Sequence, residues 1–159
     1  MIFVTVGSMM PFNRLIRNMD KWAQENEQDV LAQIGAGSYV PSHMRWARML
    51  SPSKFKDAVR DASIMVAHAG MGSYFVAMEM RKRIVLLARR ASNQEHTTDH
   101  QLHTIQWLRE KSGVYVARSD DELTYAIDRA LIEGNVSTGD FREFAPEPFL
   151  TKIRQFLVE

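Results

Sequence analysis

The stretch HAGMGS, from His68 to Ser73, combines residue types that can bind an anion. It follows an apolar run typical of a buried strand and precedes a pattern typical of a helix. Glycine lets a ligand approach the main chain, and a helix start presents free N–H groups and the positive end of its dipole. The stretch therefore predicts a phosphate site at Gly70, Met71, Gly72 and Ser73. A tight turn that binds no ligand is the alternative.

A second polar stretch, RRASNQEHTTDHQ, follows the next apolar run of the chain. Arg89 and Arg90 come directly after that run, so we expect both to point into the same cleft, where arginine pairs with phosphate or carboxylate. A cluster of polar residues then crowds the expected start of a helix: Glu95, His96, Asp99, His100 and Gln101. Hydrogen bonding to a sugar or ribose is one interpretation of this cluster, and a solvated helix start is another.

Three histidines of this region also suggest a metal. A helix beginning near residue 96 would bring His96, His100 and His103 onto one face, at spacings i, i+4 and i+7. H-x-x-x-H is a known spacing of metal ligands, but no glutamate follows the first histidine as in H-E-x-x-H. A metal-dependent hydrolase built on these histidines is therefore an alternative function, while the preferred interpretation expects no metal.

Composition and charge narrow the class of protein. The chain has 159 residues, of which 45% are hydrophobic and 25% charged, as in a folded domain. The net charge of +1 argues against nucleic acid as a partner, and the absence of cysteine fits a reducing compartment. The N-terminal IFVTVG is typical of a strand rather than a signal peptide. We therefore expect a cytoplasmic protein, with peripheral attachment at the inner face of the membrane through a partner as an open alternative.

Strands and helices are expected to alternate along the chain. Apolar and β-branched runs predict strands, and helical spacing with capping residues predicts helices. The predicted strands are Ile2–Gly7, Asp29–Gly35, Met44–Leu50, Ile64–Ala67, Ile84–Ala88 and Val114–Ala117. The predicted helices are Phe12–Asn26, Lys54–Ala62 capped by Ser53, Ser73–Arg81, His96–Lys111, one from Ser119 as its cap to Glu133, and one from a turn at Pro146 and Pro148 to Glu159.

This alternation predicts an α/β fold, with a Rossmann-like parallel sheet and helices on both faces, in one domain over residues 1–159. Ligands of such sheets bind at the carboxyl ends of the strands, near the switch in strand order. The loops expected there hold GSM, GAGS, HAGMGS and ARRASNQEH, which are the most polar and glycine-rich stretches of the chain. We therefore expect the binding site among these loops.

Three segments together resemble the C-terminal, nucleotide-sugar-binding half of glycosyltransferase family 28. They are IFVTVGS with FNRLI, VAHAGMGS with AME, and RRASNQEHTTDHQL, and the resemblance extends from Ile2 to about Leu131. The chain looks most like the small subunits of bacterial exopolysaccharide glycosyltransferases. It is more distantly similar to the catalytic subunit of the eukaryotic two-chain N-acetylglucosaminyltransferase that acts on dolichyl diphosphate. The resemblance implies the C-terminal, donor-binding half of a GT-B fold.

The resemblance also implies roles for individual residues. Those that would hold the diphosphate of a UDP-sugar are Gly70, Met71, Gly72 and Ser73, with His68 at the rim of the site. Those that would lie against the sugar and diphosphate, or along the cleft, are Glu95, His96, Asp99, His100, Gln101, Gly7 and Ser8. In relatives an acidic residue binds the ribose. Val76 stands at that position here, so Glu79, one helical turn later, is expected to take its place.

The family's reaction is inverting sugar transfer, which implies further expectations. The helix start, Ser73 and Arg89 or Arg90 would stabilise the leaving diphosphate without a metal, since the chain has no Asp-x-Asp. Relatives carry their acceptor site in a separate half, which implies a membrane-associated partner subunit for a lipid-linked acceptor and for the general base. The segment Met9–Phe12 could face that partner or pack in the core. The donor sugar could be glucuronic acid, N-acetylglucosamine or glucose, and a non-catalytic nucleotide-sugar-binding or scaffold module is the alternative function.

Overall fold

Six parallel strands form one sheet in the computed structural model, which describes residues 1–133 and 145–158. The strand order is β3-β2-β1-β4-β5-β6, and each neighbouring pair is parallel. The order reverses between β1 and β4, which is the switch point at which ligands of such sheets bind. The strands are β1 Ile2–Thr5, β2 Val30–Gln33, β3 Arg45–Ala47, β4 Ile64–His68, β5 Arg83–Leu87 and β6 Val114–Ala117.

Helices cover both faces of the sheet, as the alternating pattern predicted. On one face, α1 and α5 pack on a core that includes Val66 and Leu87. On the other face, α2, α3 and α4 pack on a core that includes Met65 and Leu86. Neighbouring residues of a strand thus supply opposite cores, as the period of two requires. The helices are α1 Asn13–Asn26, α2 Pro52–Asp61, α3 Met71–Glu79, α4 His100–Leu108, α5 Asp121–Ile132 and α6 Glu147–Val158, with a short 3₁₀ helix at Ala91–Asn93.

Two predicted helix caps were wrong. The hydroxyl of Ser51, not Ser53, accepts a hydrogen bond from the amide of Lys54 and caps α2, because Pro52 already stands at the first helical position. Asp120, not Ser119, precedes α5, and its side chain makes no capping hydrogen bond. The acidic residues expected at the positive end of α5 are present in its first turn.

The helix predicted to begin at His96 begins instead at His100. Residues 95–99 stay irregular, and the carboxylates at both ends of this segment are bonded to groups outside it. Gln94 adopts a left-handed conformation with φ of 57°, and the carboxylate of Asp99 accepts a hydrogen bond from the amide of Ala91 at 2.7 Å. His96 therefore does not share a helix face with His100 and His103, which removes the geometry on which the metal interpretation depended.

The last helix, α6, begins at Glu147, between Pro146 and Pro148. Pro148 lies in its first turn, where the missing amide hydrogen costs no helical bond, and the carbonyl of Pro146 accepts from the amide of Phe149. Its predicted last residue, Glu159, lies outside the described residues. Within the described part of the chain no helix has the length and apolar character needed to cross a bilayer.

Candidate functional site

A cleft of about 1070 Å³ opens at the carboxyl ends of the central strands. Its lining comes from the loops that follow β1, β3, β4 and β5 and from residues of α2 and α3. The predicted site residues that line it are Gly7, Ser8, His68, Gly70, Gly72, Ser73, Glu79, Arg89, His96, His100 and Gln101. Three loops that are distant in sequence thus meet in one site, as the strand order requires.

The first turn of α3 presents unpaired main-chain donors to this cleft. Gly70 is the N-cap residue, and the first main-chain bond of the helix runs from the amide of Tyr74 to the carbonyl of Gly70. The amides of Met71, Gly72 and Ser73 make no hydrogen bond within the part of the chain that the structure describes. Three donors at the positive end of a helix dipole form an anion site.

Gly72 has no structural reason to be glycine. A Cβ built on Gly72 has no neighbouring atom within 4 Å. Glycine inside a helix costs about 0.5–1 kcal/mol of stability relative to alanine. The space left open by the missing side chain faces the cleft, so it is available to a ligand that approaches the main chain.

The ring of His68 lies against Gly7 and Gly70. A Cβ on Gly70 would lie 2.3 Å from Nε2 of His68, and one on Gly7 would lie 2.8 Å from Cε1, so a side chain at either position would displace the ring. Gly7 also has a φ of 75°, which favours glycine. Burial, and then the positive charge of Arg89, lower the pKa of His68 to about 4. The imidazole in the cleft wall is therefore neutral at neutral pH.

Arg89 borders the cleft, but its guanidinium is buried and its terminal nitrogens donate to the main chain. It is 2% exposed, and its two terminal nitrogens donate to four main-chain oxygens. Nη1 donates to Pro11 at 2.7 Å and Glu95 at 3.1 Å, and Nη2 donates to Val6 and Met10, each at 2.7 Å. Burial lowers the pKa of Arg89 to about 10. The expectation that this guanidinium pairs directly with phosphate was wrong, because its terminal N–H groups are already engaged.

Arg90 points away from the cleft. Its Nη2 donates to the carbonyl of Arg118 at 2.7 Å, beyond the end of β6. The expectation that Arg90 would also enter the cleft was wrong because successive side chains of an extended chain point to opposite sides.

Glu95 and Asp99 also lie outside the cleft lining, which corrects their expected contact with the sugar. The carboxylate of Glu95 is buried and forms a two-pronged ion pair with Arg14, at 2.7 and 2.8 Å, and it accepts the amide of Arg90. Asp99 accepts the amide of Ala91. Both carboxylates shape the loop after β5, so their effect on a ligand is indirect.

His96, His100 and Gln101 do line the cleft, as predicted. The two imidazole rings meet edge to face with centroids 4.4 Å apart, and burial together with the charges of His100 and Arg89 lowers the pKa of His96. The side-chain oxygen of Gln101 accepts the amide of Arg89 at 3.1 Å. His103 is exposed, and the described residues contain no group of three His, Cys, Asp or Glu side chains placed to hold a metal ion.

One wall of the cleft was missed by sequence reasoning. It is apolar, with one lysine at its edge, and consists of Met49, Leu50, Pro52, Phe55, Lys56, Val76 and Met80. Glu79 stands on α3 beside this wall and is exposed, and Val76 is half-buried. This wall could have been predicted from the sequence, since the stretch MLSPSKF follows β3 at the same edge of the sheet as the other loops.

Met71 and the segment 9–12 differ from what the sequence predicted for the site. Met71 is not among the residues that line the cleft, although its amide belongs to the unpaired set. In the segment after β1, Met9 is 89% exposed and lies at the cleft, whereas Phe12 is fully buried in the core. The segment 9–12 therefore divides between the core and the surface.

Comparison with known proteins places this cleft in a family. The model of the glycosyltransferase family 28 C-terminal domain matches residues 1–132. No curated protein matches the chain. The fold is similar to that of the glycosyltransferase SnogD from Streptomyces nogalater, with 14% identity, a TM-score of 0.57, and coverage of 82% of this chain and 34% of that one.

Two further solved structures show the same likeness. The glycotransferase of kitacinnamycin is 14% identical with a TM-score of 0.58, over 83% of this chain and 35% of its own. Spinosyn forosaminyltransferase SpnP is 13% identical with a TM-score of 0.58, over 82% of this chain and 34% of its own. This chain spans about a third of each. It belongs to the glycosyltransferase family 28 C-terminal domain family and has the fold of the C-terminal half of a GT-B glycosyltransferase.

Proposed function

We propose that this chain is the donor-binding subunit of an inverting glycosyltransferase that takes its sugar from a UDP-sugar. The observation that carries the proposal is the set of three unpaired amides at the start of α3, open to the cleft at Gly72. A diphosphate needs such donors, and a cleft of about 1070 Å³ has room for a nucleotide and a sugar. The apolar wall beyond Leu50 offers a surface for the base, and Glu79 can accept from the ribose hydroxyls.

In this reaction the acceptor oxygen forms a bond to the anomeric carbon while the bond from that carbon to the diphosphate breaks. The electron pair of the broken bond leaves with UDP, so negative charge grows on its phosphate oxygens. The amides at residues 71–73 and the hydroxyl of Ser73 meet that charge with donors already in place, which lowers such barriers by about 3 kcal/mol per donor. No metal ion is needed for this step.

The acceptor site and the general base are proposed to lie on a membrane-associated partner subunit that binds a lipid-linked sugar. A partner is supported by the apolar stripe of α6, where exposed side chains recur one turn apart at Phe149, Ile153 and Phe156. Exposed apolar stripes of this kind are typical of protein contact surfaces. The donor sugar is proposed to be glucuronic acid, N-acetylglucosamine or glucose, and the protein to be cytoplasmic, at the inner face of the membrane through its partner.

Calorimetric titration with UDP, UDP-glucuronic acid, UDP-N-acetylglucosamine and UDP-glucose tests the proposal. We expect UDP itself to bind, and the preferred donor to bind with a distinct enthalpy. The variant Gly72→Asp places a carboxylate at the anion site and should abolish binding. Thr124→Asp adds the same charge on an exposed face of α5 and should leave binding unchanged. An absence of UDP binding by the unsubstituted protein, or equal binding by both variants, contradicts the proposal.

A further inference from the structure

The buried guanidinium of Arg89 joins two loops between which the described residues show no other hydrogen bond. Three of its acceptors, the carbonyls of Val6, Met10 and Pro11, belong to the loop after β1, and the fourth belongs to Glu95 in the loop after β5. Both loops contribute to the same cleft. A single side chain therefore sets the distance between two of its walls.

A second arginine reinforces the connection from the other side. Arg14, near the start of α1, donates to the carbonyl of Ala88 at 2.8 Å and to both carboxylate oxygens of Glu95. Both guanidinium groups also lie over the ring of Phe12, at 5.2 Å for Arg14 and 4.8 Å for Arg89. Arg14, Phe12, Arg89 and Glu95 thus form one connected group between the two loops.

The charge of Arg89 also acts inside the cleft. It lowers the pKa of His68 on one wall and of His96 on the other. A charge that reaches both imidazoles also reaches an anion bound between them, because the buried position is poorly screened by water. The four carbonyls hold the guanidinium in place and carry no net charge. The one carboxylate whose charge acts on Arg89 is that of Glu95, and it is already paired with Arg14.

Building on the proposed function, we infer that Arg89 is the positioning residue of the donor site: it fixes the loop of residues 6–11 against the loop of residues 89–96 and directs its positive charge at the diphosphate without touching it. This role differs from that of the amides of α3, which bind the phosphate oxygens themselves. Loss of Arg89 should therefore alter two loops and the affinity for UDP while leaving the helix start unchanged.

The test compares Arg89→Gln with Arg83→Gln. Arg83 lies at the opposite end of β5, roughly 20 Å away at 3.3 Å per residue, and also donates to main-chain carbonyls, those of Leu131 and Glu133. It therefore controls for the loss of a structural arginine. Three quantities are measured on both variants: amide hydrogen exchange, the histidine pKa values by NMR without ligand, and UDP affinity by calorimetry.

We expect Arg89→Gln to speed exchange in residues 6–11, to raise the pKa values of His68 and His96, and to weaken UDP binding at least tenfold. Arg83→Gln should change none of these. Arg89→Lys, which restores the charge with fewer donors, should recover part of the UDP affinity, and it decides the matter if the glutamine variant does not fold.

Unchanged loop exchange and unchanged histidine pKa values in the Arg89 variants would overturn the inference, and so would equal effects of Arg89→Gln and Arg83→Gln. These two ligand-free measurements also separate the inference from the proposed function. If the unsubstituted protein does not bind UDP, the proposed function fails, while loop exchange and histidine titration still decide whether Arg89 holds the two walls.

Discussion

Replacing Gly72 by alanine should separate stability from binding. Because a Cβ at this position meets no atom within 4 Å, the substitution creates no clash. Alanine in place of glycine in a helix contributes about 0.5–1 kcal/mol, and for a protein of this size each kcal/mol raises the melting temperature by roughly 2–4 °C. The ligand-free variant should therefore melt about 1–4 °C higher than the unsubstituted protein.

The same methyl group would occupy the space through which a phosphate reaches the amides. Displacing one hydrogen bond between an amide and a charged phosphate costs about 1.5–3 kcal/mol, which weakens UDP binding roughly ten- to hundredfold. Thermal melts and urea unfolding measure the first effect, and calorimetric titration measures the second. Thr124→Ala, at an exposed position of α5, provides a stabilised control that should keep its UDP affinity.

The two effects of Gly72→Ala have opposite signs, so neither general damage nor general stabilisation can imitate them. A variant that is more stable and binds UDP as tightly as before would show that the main chain at residue 72 does not receive the ligand. The central assumption of the proposed function would then be refuted, although the fold assignment would stand.

Three further predictions concern the surroundings of the site. Gly70→Ala should destabilise the fold by about 1–3 kcal/mol, because its Cβ would lie 2.3 Å from His68. In a double-mutant cycle measured by urea unfolding, His68→Ala should restore part of the loss, and additive effects would argue against the contact. The folded pKa of His68 is about 4, below its unfolded value near 6.5, so its contribution to stability is full above pH 6.5 and is lost as the pH falls toward 4, by up to ~3 kcal/mol. The variant His68→Gln should therefore reduce the pH dependence of the free energy of unfolding, measured in urea, between pH 6.5 and 4. An unchanged pH dependence would refute the assignment. Arg14→Met should cost about 3 kcal/mol by leaving the buried carboxylate of Glu95 unpaired, and Arg14→Met with Glu95→Gln should cost less than the sum of the single changes, again by urea unfolding.

The sequence predicted those parts of the fold that depend on a few neighbouring residues. β6 was predicted to the residue, since VYVA is a short apolar run between turn signals. The glycine-rich turn before α3 was also recognisable, because glycine and a following helical pattern act over a few residues. The parallel sheet with helices on both faces followed from the alternation of such elements.

The errors in the site came from partners that are distant in sequence. Glu95 pairs with Arg14, 81 residues earlier, and no spacing within the loop after β5 reveals that pairing. Arg89 satisfies carbonyls of a loop about 80 residues earlier, so its residue type suggested phosphate while its position excluded direct contact. In a single sequence a buried ion pair and a ligand contact use the same residue types, and only the packing distinguishes them.

The position of β1 in the middle of the sheet ties ligand binding to the cooperativity of folding. Ile2 pairs with both Val30 and Ile64, so the first strand joins the two halves of the sheet, and the cleft at its end exists only when both halves have assembled. A ligand held there cannot be retained by a partly opened molecule. At a hundred times its dissociation constant it should add about 2.7 kcal/mol to the free energy of global unfolding, so slowed hydrogen exchange should extend to strands that never touch it.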